Sequence, residues 1–198
     1  MSIHETTETI ATLSAAFQES LDALIAQFIE GIEPASAHAA VEHGVPYAES
    51  LAEPTIDVAT IGLLAIARAS EQRARDEVLA RVRVFWQGNA EVSRDDVQLQ
   101  SALGTLHAHV FAAESSVRRA LVHEPSRASS QAAFVIAAQA AQSVSTTLFD
   151  LLGASAVSTK KGLHSLWLSA ARLKEAGSLP QITTSLGASL LSATRVPE

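Results

Sequence analysis

One spacing constrains this chain more than any other feature. Between residues 97 and 122, apolar side chains recur three or four apart, at Leu99, Leu103, Leu106, Val110, Ala113, Val117 and Leu121. That is the period of one face of an α-helix, and it predicts a helix with these residues as its inner stripe. The same period runs through Ile10, Leu13, Phe17, Leu21, Leu24, Ile25 and Phe28, which predicts a helix over 4–31. No alternating β-branched run competes with it. The expectation is an all-α protein, an antiparallel up-and-down helical bundle around a core of three or four long helices.

Length and composition agree. A chain of 198 residues is one domain, or a domain with an extension. Hydrophobic residues make up 47%, enough for a sizeable core, and most are Ala, Leu, Val and Ile. Alanine loses no side-chain entropy in a helix, so its density is itself a helix signal.

Breakers and caps divide the chain. Gly31 and Pro34 end the first helix, and Gly44, Pro46 and Pro54 leave room for short helices over 34–42 and 47–51. A long helix is expected over 55–86, apolar all round at first, with Ile61 and Leu64 in the core or an interface. Its second half, from Arg68 to Arg83, reads as a solvated charged face. Ser93 should cap the next helix, with Asp95 and Asp96 in its first turn. Ser129 or Ser130 should cap a helix over 131–152, which Gly153 ends. Helices over 161–175 and 178–191 close the chain. The division is a helical extension over 1–54 and a bundle over 55–198.

Several functions are disfavoured. A net charge of −7 without clustered Lys and Arg argues against nucleic acid. The chain has no cysteine, which excludes disulfides, Cys-ligated zinc and thiol catalysis and suits a cytoplasmic protein. Neither a signal peptide nor a membrane-spanning apolar run is expected. His38 and Glu42 share a helical face beside His43, but no Glu-x-x-His pairs accompany them, so a solvated role is favoured over a metal ligand. His107 and His109 point to different faces of a helix, and His164 lies near a helix start. None of the three joins a visible catalytic motif. Trp86 and Trp167 read as core or interface anchors.

Two stretches carry a family resemblance. The first is RVRVFWQGNAEVSRDDVQLQSALGTLHAHVFAAE over 81–114, with Gly104 and Ala112-Ala113-Glu114 at the matching places. The second is LFDLLGASAV over 148–157 followed by LHSLWLSAAR over 163–172. Together they resemble the C-terminal helical domain of the acyl-CoA dehydrogenase superfamily, in the branch of flavin-dependent monooxygenases related to dibenzothiophene desulfurisation enzymes. The resemblance spans about 55–191. It implies a bundle that builds the core of a homotetramer and forms one wall of a flavin and substrate cleft. The glycine turn would contribute to a neighbouring subunit's flavin. Carried over residue by residue, it implies Gly153, Ala154, Ser155, Trp167 and Arg172 as cofactor contacts, with FAD or FMN held together with a partner chain.

The departures weigh as much. The family's paired glycine is Leu152-Gly153 here. After Trp167 the family carries a polar run ending in His and a carboxylate or amide partner. Here those two places fall on Ala176 and Gly177. Glu175 is the nearest residue to the dehydrogenases' catalytic Glu, in surroundings that do not match. The family's central β domain has no counterpart in this sequence. Three functions follow as alternatives: a non-catalytic module that assembles with itself (as a dimer or tetramer) or with a flavoenzyme, a split flavin-dependent oxidoreductase or monooxygenase, and a bundle that binds small apolar ligands.

Overall fold

A computed structural model describes residues 58–81, 90–123 and 126–193. The helices expected before residue 55, the extension over 1–54, Trp86, and the group His38, Glu42 and His43 lie outside them. The described residues form five α-helices: α1 Val58–Ala80, α2 Val97–Arg118, α3 Arg127–Leu152, α4 Leu163–Ala176 and α5 Leu179–Ala193. No strand occurs among the described residues.

Local chemistry moves the helix starts away from the expected caps. Ser93 opens a short 3-10 turn, Ser93–Asp95, and its hydroxyl faces the Arg81 carbonyl at 3.4 Å. The cap of α2 is Asp96, whose carboxylate accepts from the backbone N–H of Gln98 at 2.8 Å and of Leu99 at 3.4 Å. Asp96 is buried, so these donors take the place of water around its charge. At α3 the cap is Ser126, three residues before the earlier of the two expected serines. Ser126 and Ser129 form a reciprocal capping box, so Ser129 contributes as the third helical residue. Gly153 ends α3 as expected. A π-turn, Arg119–His123, follows α2. Its wider turn breaks the 3.6-residue phase, and Leu121 falls outside the stripe at 36% exposure, while Leu99, Leu106, Val110, Ala113 and Val117 are buried.

Side-chain pairs fix the helix directions. Arg68 of α1 pairs with Glu114 of α2, and Glu71 of α1 with His107 of α2. Sequence numbers rise on one helix as they fall on the other, so α1 and α2 are antiparallel. Lys174 reaches Gln142, and Gln131 reaches Ser185, which runs the closing α4–α5 segment against α3. At the far ends of α1 and α3, Arg81 donates to the Leu151 carbonyl at 3.3 Å, as two parallel members of an up-down-up set should.

The central helix is α3, which packs against each of the other four. Phe134, Ala137, Ala141, Val144 and Leu148 are fully buried, facing Leu63, Leu64 and Ile66 of α1 and the inner stripe of α2. Burial of each large apolar side chain contributes about 1.5–3 kcal/mol, and the alanines let the neighbouring helices approach closely. Leu64 is core, and Ile61 is partly buried against it. Helix α3 is long and apolar enough to cross a bilayer by length and composition, but half of its most apolar window is buried among its neighbours. Its apolar character serves the bundle core.

Candidate functional site

The expected wall lies at the end of α3 and along α4. Gly153 has φ 61° and ψ −152°, a backbone region that only glycine adopts without strain. It leads into the 3-10 turn Gly153–Val157, which packs against α4. Gly153, Ala154 and Ser155 therefore do sit together in a sharp turn.

Helix α4 divides its residues between two faces. Leu163 and Ala170 are buried, and Leu166 and Leu173 pack against the core. The opposite face carries His164, Trp167, Leu168 and Glu175. Trp167 is 42% exposed, so it is no core anchor. Arg172 is half-buried and lies five residues on. At 3.6 residues per turn that places it about 140° around the helix from Trp167. These two expected cofactor contacts do not share a face. Glu175 is exposed, and its carboxylate has no partner among the described residues.

The position aligned with the family's carboxylate partner is closed. Gly177 is buried between α4 and α5. A Cβ built on it would collide with the ring of Phe134, which is itself fully buried. With φ −78° the backbone there suits any residue, so the glycine is required by space. The glycine therefore allows close packing of the α4–α5 corner on α3. The glycine turn suits a flavin contact, but Ala176 and Gly177 supply no polar group.

A second region escaped the sequence reading. The charged half of α1 is a network of ion pairs, and only part of it is a solvated face. Arg68 pairs with Glu114 across the helices, Glu77 with Lys161, and Arg73 with Glu77 along α1. Glu71, whose side chain is only 11% exposed, faces Arg75 at 3.1 Å and His107 Nδ1 at 2.9 Å. Arg68, Glu71, Gln72, Arg73, Asp76 and Glu114 line a groove of about 490 Å³. Its cross-helix pairs join α1 and α2 residues that lie 36 and 46 apart in sequence, so no local pattern announced them. Glu114 was visible only as the end of Ala112-Ala113-Glu114. No group of three metal-ligating side chains occurs among the described residues.

Comparison with solved structures decides the fold. FMN-bound TdsC from Paenibacillus sp. A11-2 superposes with a TM-score of 0.65 at 20% identity, over 81% of this chain and 44% of that one. Indole-bound TdsC, from an enzyme described as a dibenzothiophene monooxygenase, gives 0.64 at 18% identity, over 71% and 39%. Methanesulfinate monooxygenase MsuC from Pseudomonas fluorescens gives 0.53 at 21% identity, over 71% and 41%. This is the helical part of the acyl-CoA dehydrogenase fold. The chain spans about two-fifths of the length of these structures. No family model and no curated protein matches it. The all-α expectation and the family resemblance at the level of fold are both borne out.

Proposed function

We propose that this chain is a helical module of the flavin-monooxygenase type that performs no flavin chemistry by itself. It acts as a self-associating or accessory subunit, and its acidic, cysteine-free composition suits the cytoplasm. One observation carries the reading: the ring of Phe134 occupies the space that a side chain at position 177 would need. The neighbouring polar run of the family pattern is also mostly apolar here, from Leu168 to Ala171. A protein under selection for that chemistry would keep a polar group where a packed core contact now stands.

A second reading is favoured by Gly153 and by the FMN held by TdsC. The turn Gly153–Val157 and the exposed Trp167 would then serve a flavin seated mainly on another chain, in a split oxidoreductase. A thermal-shift screen of the full chain with FMN, FAD, acyl-CoAs and aromatic compounds separates these readings. The first predicts no shift with either flavin and a colourless purified protein. Stoichiometric flavin uptake by the chain alone would overturn it. Flavin uptake only after co-expression with a β-domain partner would favour the second. A shift with apolar compounds alone would mark a ligand-binding bundle.

A further inference from the structure

Charge is divided unevenly along this chain. Residues 1–57 hold ten Asp and Glu and no Lys or Arg, a net charge of −10. Residues 58–198 hold the other 11 acids and all 14 Lys and Arg, a net charge of +3, and the two parts make up the −7 of the whole. The acidic part lies outside the described residues, and it carries the apolar stripe from Ile10 to Phe28.

That acidic part joins the bundle at one end. Helix α1 begins at Val58. It runs against α2 and alongside α3, so its start lies beside the end of α2 and the start of α3. Helix α5 pairs Ser185 with Gln131, and its Leu179 shares a groove with Gln142. It therefore runs against α3 and finishes at the same end. Arg118, Arg119 and Arg127 gather there, and between residues 115 and 149 the sequence has one acid, Glu124, beside these three. Leu121, Leu190 and Leu191 are exposed at this end, at 36%, 63% and 79%. The hydroxyls of Thr60 and Ser130 are buried near the starts of α1 and α3, and neither has a hydrogen-bond partner among the described residues. Buried hydroxyls are nearly always paired. This end thus presents basic, apolar and polar groups that a covering segment would satisfy together.

We infer that the chain's own residues 1–57 cover this end of the bundle. The acids closest to α1, Glu49, Glu53 and Asp57, bring carboxylates to Arg118, Arg119 and Arg127, and the stripe from Ile10 to Phe28 lies toward the exposed leucines. Charge and topology select this occupant. A segment of −10 is drawn to the basic part of the same chain. As a helix the stripe is about 27 Å long, enough to cross neighbouring helices packed about 8–10 Å apart. The 26 residues between Gly31 and Val58 let it fold back. Because it is tethered, its local concentration exceeds that of a separate partner. Nucleic acid or an anionic membrane would have to displace carboxylates that are already attached. The inference is independent of whether the chain holds a flavin.

The test uses the full chain, whose lack of cysteine allows clean labelling. Spin labels at Ala23→Cys and Ser192→Cys report the distance between the segment and the end of α5. Double electron–electron resonance should give one narrow population of short distances at low salt, and high salt should deplete it. Arg118→Glu with Arg119→Glu should lower that population roughly tenfold. Adding Glu53→Arg and Asp57→Arg to the same chain should restore most of it, which a misfolded variant cannot do. Phe17→Asp, in the stripe, should also deplete it, whereas Thr12→Asp, on the opposite face of the same expected helix, should not. A broad distribution in the otherwise wild-type chain would overturn the inference, as would a narrow one that charge reversal and Phe17→Asp leave unchanged. A short distance that vanishes on dilution with unlabelled chain would give the face to a second copy and overturn it as well. No flavin enters the measurement, so its failure is distinct from a failure of the non-catalytic reading.

Discussion

Gly153 and Gly177 stand at the two ends of one segment, and both are hard to replace, for different reasons. Gly153 is held by its own backbone, with φ 61° and ψ −152°. Gly177 has an ordinary backbone and is held by its neighbour, the ring of Phe134. The first ends α3 and redirects the chain into the turn Gly153–Val157. The second lets the α4–α5 corner close on α3.

The sharpest way to break this comparison is at Gly177. Gly177→Asp puts a side chain and a charge into a closed space, and the expected loss is at least about 4 kcal/mol, enough to unfold much of the protein. Gly177→Ala should cost about 1–3 kcal/mol from overpacking. Because the clash is with one ring, Phe134→Leu should destabilise the wild type yet relieve part of the alanine penalty. A denaturant-unfolding double-mutant cycle reads that coupling, and strictly additive effects would show that Phe134 is not the obstacle. Gly153→Ala tests the other end. Backbone strain alone should cost about 1–3 kcal/mol, with no rescue from any change in packing.

Smaller effects concern the charged side. Asp96→Ala removes the α2 cap and should lower stability by about 1 kcal/mol in urea denaturation. Glu114→Gln breaks the pair with Arg68. Both partners are partly exposed, so the loss should be below about 1 kcal/mol and should shrink further in high salt. A larger, salt-independent loss would mean that the α1–α2 network has a structural role beyond surface pairing.

The fold was legible in the sequence because helical periodicity is a property of the chain alone. Residues Leu99 to Val117 announced their stripe, and Gly153 announced a stop. The caps were missed by a few residues because serines and aspartates crowd both helix starts. The choice between Ser93 and Asp96, or Ser126 and Ser129, depends on which side chain reaches the free N–H groups. Leu121 was misplaced because a π-turn shifts the phase, and no residue type marks such a turn. The ion pairs of Glu71 and Arg68 were hidden because their partners lie on another helix. Gly177 was the most instructive case. In sequence it was a missing carboxylate, whereas in the structure it is a contact. The spacing from Trp167 could not reveal which side chain fills that corner.

The central proposal is that this chain holds no flavin by itself, and it rests on the close packing of Phe134 against Gly177, where the resemblance implies a polar side chain. Equilibrium dialysis of purified full-length chain against FMN and against FAD, followed by absorbance, tests it most directly. The account predicts that neither flavin is retained above the protein-free control. One flavin bound per chain would contradict it.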